Sequence, residues 1–192
     1  MNKENMTEKI VSAALALFYE QGFHATGVDL LSQQAGVTKK TLYRYFAGKD
    51  ELIGAALALR HRQFMQQMRA FVEARQTGRR PLEYIEFIIS WAQERDFHGC
   101  AFINATAEYG QQTNAIHRQA ADHKHAVLAQ LSQWCADAGV AQPPALARSL
   151  FLIGEGTIVA SQTQGPDEAA FAAARQMAQQ LWQAARTDGE TR

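Results

Sequence analysis

Cysteine pairs, membrane-length apolar runs and a leader-like start are all missing from this chain. Two of its 192 residues are cysteine, Cys100 and Cys135, and no C-x-x-C pair occurs, which argues against a disulfide scaffold. No apolar run approaches the roughly 20 residues that span a bilayer. The first eight residues are polar and charged, unlike a secretory signal. These absences predict a protein of the reducing cytoplasm with no membrane-spanning segment.

Strand-like alternation is also missing, and its absence decides the predicted fold class. No segment shows the period-two pattern of a half-buried strand, and no internal repeat of about 20–50 residues occurs. Apolar residues instead recur at spacings of three and four, between breaks marked by glycine and by some of the 4 prolines. A hydrophobic content of 47%, with 10 Phe and 3 Trp, is enough to fill a core. The sequence therefore predicts an all-α protein.

The segment 26–52 predicts two short helices joined by a tight turn, followed by the start of a third. Thr26 and Asp29 stand three apart, the spacing of a capping box that would begin the first helix. Gly36 supplies the left-handed residue that ends it. Thr38 can cap the second helix, which buries Leu42. This arrangement is a helix-turn-helix.

The second of these helices has a small, basic and aromatic outer surface. The run 37–49 holds four cations and no acid, so the zero net charge of the whole chain matters less than this local excess. Lys39 and Lys40 lie where such helices touch base edges, whereas Tyr43 and Lys49 are placed to hold phosphates. The predicted DNA-binding residues are Thr26, Thr38, Lys39, Lys40, Thr41, Tyr43, Tyr45 and Lys49.

Over roughly residues 10–57 the chain resembles the N-terminal domain of the TetR/AcrR family of one-component bacterial transcription regulators. The resemblance implies an N-terminal three-helix DNA-binding domain, residues 1–48, and a C-terminal helical bundle for ligand binding and dimerisation, residues 49–192. Gly27 stands where the family usually has serine or threonine, and we expect Thr26 to replace the lost hydroxyl contact. The residues in register are Gly22-Phe23, Ala25-Thr26, Ala35-Gly36-Val37, Leu42-Tyr43, Phe46 and Lys49-Asp50-Glu51-Leu52.

The last two predicted helices carry apolar residues at spacings of three and four. In the family such a pair meets its copy in a second subunit, so the resemblance implies a homodimer with a four-helix interface. A two-fold dimer also reads a palindromic site in double-stranded DNA. The alternative is an internal core stripe of a monomer. The predicted interface residues are Leu150, Ile153, Thr157, Phe171, Ala174, Ala178, Leu181 and Trp182.

The segment 99–109, G-C-A-F-I-N-A-T-A-E-Y, resembles a family subgroup with a similar Gly-Cys and Asn/Glu pattern. In that fold its side chains would border a cavity for a small-molecule effector. Two alternatives remain open: Cys100 acts as a redox sensor, or Cys100 is a small buried hydrophobe and Glu108 a satisfied interior acid. The predicted pocket residues are Phe64, Met68, Trp91, Cys100, Phe102, Asn104, Glu108 and Glu155.

Metal, cofactor and catalytic chemistry are not expected. His117, His123 and His125 lie on one predicted helix at spacings of six and two, which do not bring ligands to one face. His98 and Cys100 are too close in sequence for the usual nucleophile–base geometry. No glycine-rich phosphate loop accompanies them.

Three functions follow, in decreasing order of support. The resemblance implies a dimeric repressor that binds a palindromic operator and is released by a small-molecule effector. A repressor switched by the thiol of Cys100 is the alternative on the same scaffold. A helical adaptor without DNA binding is disfavoured by the intact Lys39, Lys40, Tyr43 and Lys49.

Overall fold

The computed structural model describes residues 3–190, with side chains from Glu4 to Arg186. Over this range the regular structure is entirely helical, which confirms the predicted all-α fold. A single 3-10 turn, Thr77–Arg79, precedes the fifth α-helix. The helices are α1 Lys3–Gln21, α2 Val28–Gln34, α3 Lys39–Tyr45, α4 Lys49–Glu73, α5 Arg80–Ala92, α6 Ala101–Glu108, α7 Ala115–Asp137, α8 Pro143–Gln164 and α9 Glu168–Glu190.

Several helix ends lie where the sequence predicts them. Gly22 and Gly36 have φ angles of 88° and 61°, a left-handed conformation that side chains disfavour, and they terminate α1 and α2. Thr38 is the N-cap of α3 and accepts the backbone N–H of Thr41 at 3.1 Å. Pro81 lies in the first turn of α5, where its missing N–H is not needed.

The predicted capping box at the start of α2 is wrong. The N-cap is Gly27, and no side chain caps this helix. Thr26 is fully buried, and its hydroxyl donates to the carbonyl of Gly22 at 2.6 Å. The Thr26 hydroxyl therefore closes the turn between α1 and α2, and its burial rules out the predicted phosphate contact.

The chain divides into two compact units. The first comprises residues up to 64 together with 100–123, so α6 and the start of α7 join α1–α3 and most of α4. Its core includes Phe18, Phe23, Leu31, Leu42 and Leu52, each 1% exposed or less. The predicted domain boundary between residues 48 and 49 does not coincide with the limits of these compact units. The division into a DNA-binding domain and a ligand-binding domain at this point stays a prediction.

The second unit comprises residues 65–99 and those from 124 onward. Here α5 packs against both α8 and α9, which also pack against each other. Eight of the 13 residues of α5 are buried, as its dense apolar pattern predicts. Gly154 permits the α5–α8 approach, because a Cβ there would lie 2.7 Å from the hydroxyl oxygen of Tyr84. In the described part of the chain, no helix combines the length and apolar character that crossing a membrane requires.

Candidate nucleic-acid interface

The turn between α2 and α3 is fixed by backbone hydrogen bonds and buried apolar residues. The N–H of Val37 donates to the carbonyl of Ser32 at 2.9 Å, and the N–H of Gly36 donates to Gln33 at 2.9 Å. Leu31 and Leu42 anchor the two helices in the core, at 1% and 0% exposure. The pair therefore presents α3 at a fixed angle, as a helix-turn-helix requires.

The predicted basic surface of α3 faces solvent. Lys39, Lys40 and Thr38 are exposed, and Tyr43 is 49% exposed. Thr41 is half-buried, and its hydroxyl lies 3.0 Å from that of Thr38. A protruding, cation-rich helix of this kind can enter a DNA major groove and place ammonium groups against base edges.

Arg44 extends this surface; the sequence prediction counted it among the four cations of 37–49 but did not include it among the DNA-binding residues. It is exposed and lies four residues after Lys40, so both side chains project from the same face of α3. Its guanidinium lies 5.4 Å from the ring centre of the half-buried Tyr45. The i, i+4 spacing from Lys40 was the available signal. Tyr45 thus supports a cation on the α3 surface.

Asp29 of α2 forms an ion pair with Lys39, the first residue of α3. Both side chains are largely exposed, at 77% and 52%, so the pair contributes about 0–1 kcal/mol to stability. We expect its larger effect to be on DNA binding, because a carboxylate beside a lysine predicted to contact bases would repel phosphate and occupies the ammonium group.

We therefore expect Asp29→Asn to raise the affinity for a specific duplex and the affinity for a scrambled duplex, each severalfold. Loss of one negative charge raises the electrostatic term that all sequences share. Titrations of specific and scrambled duplexes at several salt concentrations measure both quantities. Unchanged affinity for scrambled DNA would show that Asp29 does not restrain Lys39.

Lys49 has a backbone partner within the protein. Its Nζ donates to the carbonyl of His24 at 3.2 Å, and the residue is half-buried at the start of α4. A phosphate contact from Lys49 remains a prediction, since one N–H of the ammonium bonds the α1–α2 turn and two others stay available.

Glu108 binds the same turn from α6. Its Oε1 accepts the N–H of Phe23 at 2.8 Å, and its Oε2 accepts the N–H of His24 at 2.5 Å and lies 2.8 Å from His24 Nδ1. Burial raises the pKa of Glu108, but the hydrogen bonds from His24 and Phe23 outweigh it and leave the pKa below its ordinary value. The predicted effector-pocket role of Glu108 is not supported, because both oxygens bind the protein itself.

Tyr109 completes this cluster. Its ring stacks on His24 with centroids 4.8 Å apart, and its hydroxyl donates to Oδ1 of Asp50 at 3.3 Å. Burial, followed by the nearby Asp50 carboxylate, raises the pKa of Tyr109 to about 12. The phenol is therefore protonated across the physiological range and remains a hydrogen-bond donor.

The lowered pKa of Glu108 predicts an acid dependence of stability. A carboxyl whose folded pKa lies below its unfolded value stabilises the protein fully above the ordinary glutamate pKa, about 4.3, and this contribution is lost as pH falls through the lowered folded pKa. We expect Glu108→Gln to cost on the order of 1 kcal/mol near neutral pH, and this difference to shrink below about pH 4. Denaturant unfolding between about pH 3 and 7 measures it, with Asp122→Asn as the exposed control; a pH-independent difference would contradict the assignment.

The eight predicted pocket residues are divided between the two units. Phe64, Cys100, Phe102, Asn104 and Glu108 belong to the first, and Met68, Trp91 and Glu155 to the second. In the first unit, Phe102 stacks on His123 at 3.6 Å between ring centroids, and Phe64 meets the same ring edge-on at 5.2 Å. His61 Nδ1 lies 3.0 Å from His123 Nδ1. This pair of a buried and a half-buried histidine was not foreseen, because its members lie 62 positions apart.

In the second unit, the predicted pocket residues have protein neighbours of their own. Glu155 is held by Lys124, whose Nζ lies 2.7 Å from its Oε1, which supplies the partner that a secluded carboxylate needs. Met68 is fully buried, and Trp91 meets Phe97 edge-on at 5.1 Å. Their role in effector binding stays a prediction.

The predicted dimer residues lie largely inside a single chain. Leu150, Thr157, Phe171, Ala174, Ala178 and Trp182 are all 8% exposed or less, because α8 and α9 bury them against each other and α5. These six side chains therefore cannot form the predicted surface with a second subunit. Ile153 is half-buried, and Leu181 is 37% exposed.

A different apolar surface is exposed on the same helices. We call it the α8–α9 apolar surface and define it by Leu152, Val159, Met177 and Leu181, which are 68%, 43%, 47% and 37% exposed. Leu152 and Val159 stand seven positions apart on α8, and Met177 and Leu181 stand four apart on α9, so each pair shares one face of its helix. Exposed large apolar side chains of this kind indicate an interaction surface. Sequence periodicity selected mainly the inner faces of α8 and α9, and dimerisation through these two helices stays a prediction.

Metal ligands do not converge within the described residues. No group of three or more His, Cys, Asp or Glu side chains there could hold a metal ion. Both cysteines are buried, and burial raises the pKa of Cys135 to about 12, which leaves little reactive thiolate near neutral pH.

Comparison with known proteins gives the helix-turn-helix a family. Residues 10–56 match the family described as "Bacterial regulatory proteins, tetR family". The crystal structure of a TetR-family transcriptional regulator from Streptomyces coelicolor has a TM-score of 0.86 and 27% identity, over 94% of this chain and 89% of that one.

Curated relatives agree over shorter segments. The HTH-type transcriptional repressor KstR of Rhodococcus jostii is 35% identical over 46% of this chain and 41% of its own length. The fatty acid metabolism regulator protein of Bacillus subtilis is 27% identical over 40% of each chain. These matches thus span less than half of each relative. The helix-turn-helix segment of this chain is therefore similar to the TetR family of bacterial regulatory proteins, and its fold is similar to that of the TetR-family structure from Streptomyces coelicolor.

Proposed function

We propose that this chain is a dimeric transcriptional repressor that binds a palindromic operator in cytoplasmic DNA and is released by a small-molecule effector. The observation that carries the DNA-binding part is the exposed basic face of α3, with Lys39, Lys40 and Arg44, inside the segment that matches the family. Lys39 and Lys40 read bases, whereas Tyr43, Arg44 and Lys49 hold phosphates.

Titration of a mixed-sequence duplex tests DNA binding itself. The affinity should fall steeply with salt, because each phosphate contact releases condensed counterions. An adaptor without DNA binding would give no shifted complex at low salt. That result would remove the proposed function.

The dimeric part is supported by the α8–α9 apolar surface. A groove of about 220 Å³ lies beside it, where small residues at the start of α8 and the end of α9, among them Ala145, Ser149 and Ala184, adjoin Leu181. Small side chains permit close approach of a second pair of helices. A two-fold dimer places two copies of α3 for two half-sites, about 34–36 Å apart along DNA.

The effector part of the proposal is supported by α4, because this one helix contributes residues to both units. Residues 49–64 of this helix belong to the first unit and 65–73 to the second. An apolar or weakly polar molecule bound against Phe64 or Met68, which both lie on α4, would act on that helix directly. Such a ligand releases DNA only to the extent that it prefers the DNA-free conformation.

Thermal-shift screening of a metabolite library, followed by DNA titration with each stabilising compound, tests effector release. We expect a hit to weaken specific DNA binding roughly 5- to 150-fold, the usual range of allosteric coupling. If no compound stabilises the protein, and if oxidant releases DNA from the wild type but not from Cys100→Ser, the thiol alternative replaces this part of the proposal. The burial of Cys100, at 3% exposure, disfavours that outcome.

A further inference from the structure

The turn that introduces the DNA-binding helices is anchored by the buried Phe23 and Thr26, but it begins and ends at glycines. Gly22 and Gly27 bracket it, and Gly22 has a left-handed φ of 88°. Glycine raises the conformational freedom of such a segment. The N-cap Gly27 has no side chain to bond the first turn of α2. Within the turn, the Thr26 hydroxyl bonds the Gly22 carbonyl, whereas the N–H groups of Phe23 and His24 are restrained from outside the turn.

That restraint comes from α6, which lies outside the segment that matches the family. The Glu108 carboxylate accepts both successive N–H groups of the turn, those of Phe23 and His24, across 85 and 84 positions of sequence. Hydrogen bonds from N–H groups to a carboxylate are short and strong. We call these contacts the Glu108 anchor.

His24 connects the Glu108 anchor to Lys49, which is predicted to contact DNA phosphate. The backbone of this residue donates to Glu108 and accepts from Lys49 Nζ at 3.2 Å. Its ring lies beside the Glu108 carboxylate and stacks on Tyr109. The position of a cation at the start of α4 therefore depends on His24, and the position of His24 depends on α6.

We infer that Glu108 is a positioning residue for DNA binding, which fixes the α1–α2 turn and with it α2 and Lys49. This inference rests on the proposed function. The helix-turn-helix is thus completed by α6 within the first unit, and its DNA affinity depends on a side chain that does not touch DNA.

The direction of the change in DNA affinity distinguishes a positioning role of Glu108 from a purely electrostatic one. Removing a negative charge from a DNA-binding protein strengthens DNA binding when charge alone matters. Loss of the anchor instead reduces the fraction of molecules whose turn is correctly held, and the apparent affinity falls by that fraction. Glu108→Ala should therefore weaken binding although it removes a negative charge.

The experiment uses the full chain and a duplex that the wild type selects from a random pool. We expect Glu108→Ala to bind this duplex about tenfold more weakly, with an unchanged salt dependence because no phosphate contact is lost. Glu108→Gln keeps one acceptor oxygen, so its affinity for the duplex should lie between those of the wild type and of Glu108→Ala. The matched control is Asp122→Asn, an exposed acid on α7 in the same unit, which should bind as tightly as the wild type or slightly more tightly.

Hydrogen exchange without DNA provides the second readout. The amides of Phe23 and His24 should exchange faster in Glu108→Ala and Glu108→Gln, while circular dichroism and sedimentation remain those of the wild type. A wild type that selects no DNA would remove the proposed function. A wild type that selects DNA, with both Glu108 variants binding it at least as tightly, would overturn the positioning role, and so would unchanged exchange of the two amides.

Discussion

Lys40→Ala is expected to lose most of its preference for the specific DNA site while keeping much of its general affinity for DNA. A lysine that donates to a base edge contributes about 1–3 kcal/mol of discrimination, which corresponds to roughly 5- to 150-fold in the ratio of specific to scrambled affinity. Lys40 is exposed near the start of α3 and is part of no ion pair found among the described residues. Its ammonium group is therefore available for a base.

Competition between specific and scrambled duplexes measures this ratio. Arg44→Ala is the matched control, since it removes one positive charge from the same face of α3 and should weaken both duplexes together, with a salt slope reduced by about one. If Lys40→Ala behaves like Arg44→Ala, then Lys40 holds a phosphate and the base-reading assignment is wrong.

Leu152→Glu combined with Met177→Glu is expected to give a folded monomer of 21.3 kDa. Both side chains are exposed in the single chain, at 68% and 47%, so the substitutions do not disturb its core. In a dimer formed through the α8–α9 apolar surface, each carboxylate would be buried without a partner, which costs several kcal/mol. Specific DNA affinity should fall by orders of magnitude, because a monomer holds only one half-site.

Sedimentation of the double variant checks its oligomeric state, and titration of the selected duplex checks its DNA affinity. Gln179→Glu places the same charge at an exposed position on another face of α9, and it should remain dimeric. A double variant that stays dimeric would place the interface elsewhere. Glutamate at Phe171 or Trp182 is a poorer test, since these residues are 1% and 5% exposed and the change would unfold the chain.

The fold was predictable because local signals decide it. Spacings of three and four, a capping threonine at position 38 and glycines at 22 and 36 specify helices and their ends without reference to distant residues. The exposed side of α3 was predictable for the same reason, since a helix seven residues long with one apolar face has one outer face.

The errors arose at side chains whose sequence pattern fits two different partners. An acidic residue on a short helix is compatible with a ligand pocket and with a structural hydrogen bond. For Glu108, the N–H groups of Phe23 and His24 in the α1–α2 turn are the partners, and sequence alone does not show that they lie nearby. Thr26 carries a capping signal, but its hydroxyl finds the Gly22 carbonyl instead. Periodicity likewise identifies an apolar stripe without stating whether α5 or a second subunit covers it. Phe171 is buried within its own chain, whereas Leu152 is 68% exposed.

Selection of duplexes from a random pool by the wild-type chain, followed by sequencing, tests the central claim most directly. A dimeric TetR-type regulator should enrich one inverted repeat, with half-site centres about 10–10.5 base pairs apart or a multiple of that distance. A pool without enrichment, or one enriched in a single half-site with no repeat, would contradict the account.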